Sequence, residues 1–256
     1  MKRYVKSAIM PLSNYDWKDL FELACDSSTL TESLKEISEV CDARAVQSAI
    51  LSNPNTTSEV LDIMVDRILK FVTNDDYDTL NRIASMPRTS SATLSKMVDS
   101  LDLNNDACYV TEVFYAIAGN SNTPLKALRK LSNCWDYDVR AAVAKNPNTS
   151  SALLNHLIKI DDSIVPAALT NPNLSADILK TFANSSNQWS RVEVAENSNT
   201  PKDVLVKLST DESYYVRQSV AENFNTPVDT LKMLAKDEEW GVETSAKQTL
   251  RTLGYD

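Results

Sequence analysis

Residues 139–149 read VRAAVAKNPNT, and residues 216–226 repeat the pattern as VRQSVAENFNT. A polar tetrad between apolar runs can be a ligand loop, a glycosylation site or a turn stamped out once per structural unit. Counting outward from its first residue decides between them. Tetrad-like anchors stand at Asp26, Asn53, Met86, Asn120, Asn146, Asn171, Asn197 and Asn223, separated by 27, 33, 34, 26, 25, 26 and 26 residues. Self-similarity at such a period marks a repeat array. Eight residues beyond every anchor stands a leucine: Leu34, Leu61, Leu94, Leu128, Leu154, Leu179, Leu205 and Leu231. Three residues further come Ile37, Met64, Met97, Leu131, Leu157, Phe182, Leu208 and Leu234, so each unit has an i, i+3 apolar pair on one side of a short helix. The third residue before each anchor is Leu23, Ile50, Ile83, Ile117, Val143, Ala168, Val194 or Val220. Each period therefore predicts two short helices. Neither can bury its stripe alone, so the units must stack as a solenoid.

The tetrad then reads as a helix stop joined to a helix start. Asparagine adopts the left-handed conformation common at helix C-termini more readily than most residues, so Asn146 and its equivalents are expected to end the first helix that way. On that reading Asn146→Gly is tolerated and Asn146→Val is strained. Pro54, Pro87, Pro147 and Pro172 forbid continuation of the helix. Thr29, Thr56, Thr89, Thr123, Thr149, Thr200 and Thr226 fall where an N-cap belongs, with Pro124, Pro201 and Pro227 at the first helical position. Thr29 with Glu32, and Thr56 with Glu59, have capping-box spacing. Formal glycosylation sequons at Asn55, Asn148 and Asn173 are read as products of the repeat.

The strings VRAAVAKNPNTSSALLNHLIKID and VRQSVAENFNTPVDTLKMLAKDE resemble the leucine-rich repeat variant family, over about residues 17–247 and most specifically 113–240. The resemblance implies a right-handed superhelix of two parallel layers of short helices, one of them tight enough to read as 3₁₀, without the strands of ordinary leucine-rich repeats. One known type in that family carries an N-terminal cysteine-bound iron–sulfur cluster. Cys25, Cys41, Cys108 and Cys134 are too scattered to match it, so no cofactor or metal is expected and the cysteines are expected to be buried and reduced. The opening MKRYVKSA is similar to the start of many phage and conjugative-element proteins of Gram-positive bacteria.

The expected fold is all-α: one right-handed α-solenoid over residues 1–256, of about eight two-helix repeats near 26 residues each. Residues 1–25 make an N-terminal cap and first helix, 26–240 the repeats with longer units at 53–119, and 241–256 a C-terminal cap. Composition agrees: only three glycines occur, which disfavours barrels and phosphate-cradling loops. No run approaches the ~18 apolar residues of a membrane span, and MKRYVKSAIMPL lacks the apolar core of a secretory signal, so a cytoplasmic location is expected. A net charge of -9 opposes direct binding to nucleic acid or anionic membrane, because phosphate binding needs clustered cations.

Two features break the period. The long units add VDRILKFVTNDDYDT at 65–79, expected to lengthen a helix through Ile68, Leu69, Phe71 and Val72, and VDSLDLNNDACYVTE at 98–112, expected to be a longer loop. Each is either a local binding feature or a tolerated insertion. The connections between units carry acids and rings: Asp75, Asp76 and Tyr77; Trp135, Asp136 and Tyr137; Asp211, Glu212, Tyr214 and Tyr215; and Trp240, with Trp17 and Trp189 in equivalent places. Stacked, they predict an acidic-aromatic edge that is a candidate partner-binding ridge, although acids also favour helix N-termini and rings also seal gaps between units. Arg140, Arg191 and Arg217 beside these acids predict an ion-pair ladder, with phosphate binding as the sharper alternative.

No nucleophile elbow, P-loop, dinucleotide fingerprint or metalloprotease motif occurs, and the single histidine, His156, is expected to face solvent. The function expected is a non-catalytic scaffold that binds a protein or peptide, a basic one suiting the charge, through its concave face or its acidic-aromatic edge. An acidic regulator or inhibitor that occupies a nucleic-acid-binding protein is the alternative. A HEAT-like DNA glycosylase is a remote third, since the charge balance is wrong for a DNA groove.

Overall fold

A computed structural model of the chain describes residues 12–255. Residues 1–11, which hold MKRYVKSA and nearly all of the stretch read as lacking a secretory signal, lie outside the described residues. Among those residues there are seventeen α-helices, three short 3₁₀ segments and no strand. The chain divides into two compact units, 1–131 and 132–256.

In the first unit α1 (Trp17–Cys25), α3 (Arg44–Ser52), α5 (Tyr77–Ser85) and α7 (Cys108–Gly119) stack in order as one layer. The second layer is α2 (Thr31–Val40), α4 (Ser58–Ile68), α6 (Ser91–Ser100) and α8 (Leu125–Leu131). The second unit alternates α9 (Tyr137–Lys145), α11 (Val165–Leu169), α13 (Gln188–Glu196), α15 (Tyr214–Glu222) and α17 (Trp240–Thr252) with α10 (Ser151–Ile160), α12 (Ala176–Phe182), α14 (Lys202–Leu208) and α16 (Val228–Leu234). There the odd-numbered helices stack directly on one another, while the even-numbered ones pack onto the odd layer and stand farther from each other. The odd face is thus the crowded, inner side of that unit. Both layers are α-helical; 3₁₀ geometry is confined to Leu12–Asn14, Asn74–Asp76 and Asp162–Ile164, in the connections.

The apolar columns form the core. All eight leucines of the column from Leu34 to Leu231 are completely buried, and so are Ile50, Ile83, Ile117, Val143, Ala168, Val194 and Val220 on the odd helices. Only Leu23 and Phe182 in the predicted columns are half-buried. At about 25 cal/mol per Å² of apolar surface, each buried leucine contributes ~1.5–3 kcal/mol against the entropy of ordering its repeat.

The tetrad is a helix junction, but its chemistry differs from the expectation in two ways. Among the described residues no non-glycine residue has positive φ; Asn146 sits at φ -65°, ψ 131°, in extended backbone. Asparagine is needed for its amide. Asn171 Nδ2 donates at 2.7 Å to Ala144 O, a carbonyl that the preceding helix leaves open at its end, and at 2.8 Å to Asn146 O, which also accepts the Thr149 N–H. Its Oδ1 accepts the Asn173 N–H at 2.9 Å, which closes the turn. Asn53, Asn120, Asn197 and Asn223 repeat this pattern one unit back, on Ala24 and Asp26, Ala84 and Met86, Leu169 and Asn171, and Ala195 and Asn197. Asn55, Asn122 and Asn173 form a second, outer row of the same kind. Where the anchor is Met86, the Arg88 guanidinium reaches Leu51 O at 3.2 Å instead.

The threonines also act backwards. Thr149 Oγ1 donates to Val143 O at 2.5 Å, six residues upstream, and Thr29, Thr89, Thr123, Thr200 and Thr226 make the equivalent bond, as does Thr56 with Ile50 O. The N-cap lies one residue later: Ser90 and Ser150 accept the N–H of Thr93 and Leu153. Pro201 and Pro227 occupy that cap position, outside the helix rather than at its first residue. The capping boxes expected at Thr29 and Thr56 are absent, because both hydroxyls are already spent; the chain's capping box is Thr73 with Asp76.

The insertions resolve differently from each other. α4 ends at Ile68, so Leu69 to Val72 leave the helix and Phe71 is 87% exposed. The second insertion is partly the expected loop, at 101–107, and partly an extra turn on α7, which has 12 residues where α5 and α9 have 9.

Candidate partner-binding surface

The ladder arginines leave one helix and close on the next connection. Arg191 Nε and Nη2 donate to the two carboxylate oxygens of Asp211 at 2.7 and 2.8 Å, and Nη1 donates to Ser185 O at 2.9 Å. Arg217 treats Asp237 and Asp211 O the same way, and Arg140 pairs with Asp161 at 2.6 Å while donating to Cys134 O. The ion-pair ladder forms, and it is largely buried: Arg191 and Asp211 side chains are each 10% exposed. Burial pushes the Asp211 carboxyl up, but donation from Arg191 and the Ser213 N–H outweigh it, and the net shift is downward. For Asp237 the Arg217 guanidinium is the largest influence, and it too lies below the usual carboxylate range.

The acids of the predicted ridge are therefore largely spent. Asp75 pairs with Arg44, Asp76 accepts the Thr73 N–H and hydroxyl, Asp136 caps α9 through the Val139 N–H, and Asp211 is in the ladder. Glu212 touches Arg191 at 3.4 Å and remains 90% exposed. The rings are free in a way the acids are not: Trp135, Tyr137, Trp189, Tyr214, Tyr215 and Trp240 are all exposed.

They do not form one row. Trp17, Tyr77, Tyr137, Tyr214 and Trp240 open their helices, whereas Trp189 and Tyr215 are second residues and point about 100° further round the helix. In the first unit Tyr77 meets Tyr109 at 4.8 Å, and burial pushes the Tyr77 phenol up. In the second unit Trp189, Tyr215 and Tyr214 form a continuous cluster, with centroids 5.3 and 4.0 Å apart.

This cluster sits on the odd layer, which also carries carboxylates outside the ladder that sequence reading missed. Glu193 and Glu196 on α13 and Glu222 on α15 are outside the ladder, and neither helix has a cation other than Arg191 and Arg217. Burial, reinforced by Glu196 and opposed by Lys145, raises the Glu193 carboxyl. The signal was present in the columns four and one residues before each anchor, where Glu193, Glu196 and Glu222 gather in the last two repeats while most earlier repeats hold small residues.

The first unit has an open groove of about 380 Å³ between α1 and α3, lined by Phe21, Cys25 and the small residues Ala45, Ser48, Ala49 and Ser52. No carboxylate, histidine or cation lines it. Cys25 and Cys108 are exposed, contrary to the expectation that all four thiols are buried, because both lie at helix ends outside the apolar columns; Cys41 and Cys134 are buried. His156 faces solvent on α10. Among the described residues no three His, Cys, Asp or Glu side chains gather as metal ligands, and no helix is long and apolar enough to cross a membrane.

No family model and no curated protein matches the chain. The chain is similar to a leucine-rich repeat variant. That solved structure, described as "a leucine-rich repeat variant with a novel repetitive protein structural motif", shares 16% identity at a TM-score of 0.49, over 89% of this chain and 90% of its own.

Proposed function

We propose that the protein is a non-catalytic repeat scaffold that binds a protein or peptide partner through the odd-numbered face of its second unit and the connections beside it. The observation that carries this reading is the exposed cluster of Trp189, Tyr214 and Tyr215 on a helix layer whose core is already complete without it. Large rings left in water have the composition of an interface centre, and the carboxylates around them suit its polar rim. The acidic-regulator alternative draws less support, because Asp161, Asp211 and Asp237 are neutralised within the chain and present no ordered negative row. A DNA groove draws less still, since α13 and α15 offer carboxylates where phosphate needs cations.

Photo-crosslinking tests the reading. A photoreactive phenylalanine replacing Trp189 is expected to capture a discrete partner in extracts of the source cells, and the same residue replacing Lys180 on the even layer is not. Equal capture at both positions, or none at 189, would overturn it.

A further inference from the structure

The groove of the first unit lies between α1 and α3, away from the ring cluster of the second. α3 faces it with Ala45, Ser48, Ala49 and Ser52, side chains too short to fill it, and α1 borders it with the exposed Phe21 ring and the Cys25 thiol, which leaves about 380 Å³ open.

A guanidinium stands on the side away from α1. Arg82 of α5 donates from Nη1 to Ser48 Oγ at 2.8 Å and from Nη2 to Ser52 Oγ at 3.5 Å, so its charge is one hydrogen bond from two side chains that line the groove. Both acceptors are neutral. Arg44 and Arg67 of the same unit close on Asp75 and Asp42, but among the described residues no carboxylate lies within ion-pair distance of Arg82. Asp78, one turn earlier on α5, and Glu22 on α1 are exposed and do not reach it. Nor is its charge spent on open helix ends: Asn53 covers Ala24 O and Asp26 O, and the Arg88 guanidinium, also without a carboxylate, covers Leu51 O. In a chain of net charge -9, two unneutralised guanidiniums at one end of an apolar groove reverse the local sign.

We infer that this groove receives an acidic segment of a partner protein, an apolar side chain seated against Phe21 and a neighbouring carboxylate on Arg82. The inference goes beyond the partner-binding reading above, since it concerns the other unit and the opposite charge. A guanidinium with unused N–H groups offers a planar donor pair that a carboxylate matches and a neutral amide does not. Phe21 and the alanines of α3 give an aliphatic side chain apolar surface to cover.

The test uses the full chain and a fluorescein-labelled Gly-Leu-Asp repeat peptide, read by fluorescence anisotropy at low salt, with Gly-Leu-Asn and Gly-Ala-Asp peptides beside it. The Leu-Asp peptide binds, and each control binds roughly tenfold more weakly or worse. Arg82→Gln removes the charge and Ala45→Phe fills the groove without touching a side-chain hydrogen bond; each weakens the Leu-Asp peptide roughly tenfold while the melting temperature holds. Should Arg82→Gln fail to fold, Ala45→Phe decides. Saturating peptide slows alkylation of Cys25 by iodoacetamide and leaves Cys108, exposed outside the groove, as reactive as before. An intact protein without affinity for the Leu-Asp peptide, equal affinity for the Asn peptide, binding unchanged in Ala45→Phe, or bound peptide that leaves Cys25 unprotected would each overturn the inference. Trp189→Ala leaves the affinity unchanged; a loss there would put the peptide on the second unit and overturn it as well, whereas photo-capture at 189 bears only on the earlier reading.

Discussion

The two units solve the same junction with different regularity. The second repeats every 25 or 26 residues; the first stretches to 33 and 34, and one of its anchors is methionine. The buried amide row nevertheless runs through both, from Asn53 on Ala24 and Asp26 to Asn223 on Ala195 and Asn197. The ion-pair ladder does not. It belongs to the second unit, and even there Val165 and Ser185 stand at the positions that hold arginine and aspartate in the neighbouring repeats. Every helix end leaves carbonyls open, so every junction needs a donor, and Met86 is covered by Arg88. A guanidinium needs its aspartate only where one has been placed, and the chain keeps or drops both together.

That contrast can be broken at several points. The largest effect is expected in the leucine column that each unit has: Leu154→Ala costs about 2–5 kcal/mol through lost burial and a cavity, while His156→Ala two residues away stays within ~0.5 kcal/mol. Urea unfolding of the two variants checks it, and similar losses would mean the faces of α10 are misassigned.

Next is the amide row. Asn171→Gly and Asn171→Ala should each lose about 1–3 kcal/mol, since either leaves the buried Ala144 carbonyl without a donor and Asn146 O with the Thr149 N–H alone. Glycine tolerated at 171 or 146 would restore the left-handed reading that the extended backbone contradicts.

Smaller effects sharpen the optional ladder. Arg191→Ala should cost about 2 kcal/mol by stranding Asp211 in a largely buried place, whereas Arg191→Val with Asp211→Ser, the pair already found at 165 and 185, should return to within about 1 kcal/mol of the parent. A double variant as unstable as the single would show that the guanidinium matters for the Ser185 and Ser186 carbonyls more than for the aspartate.

The smallest effect is on acid stability. Asp211 and Asp237 have folded carboxyls below the ordinary 3.8, so the unfolded chain takes up their protons first. Their contribution is complete above that value and is lost as pH falls through the lower folded ones. Thermal melts from pH 5 to pH 2 should show a shallower acid decline in the Val–Ser double variant, which lacks Asp211; an unchanged slope would remove Asp211 from the acid transition.

Sequence alone determined the helix pairs, the junction at each tetrad and the core, because apolar burial imposes a local period that survives insertions of eight residues. The eight leucines needed no structure to be placed inside. The job of each asparagine was decided by tertiary structure. Its amide acts on carbonyls 25 to 36 residues upstream, a distance that neither helical spacing nor conformational preference encodes. The candidate surface divides the same way: the rings were visible as residues, but a shift of one position around a helix turns a side chain by about 100°. Only the stacked helices of the second unit show that Trp189, Tyr215 and Tyr214 meet while Tyr137 and Trp240 stand outside that cluster.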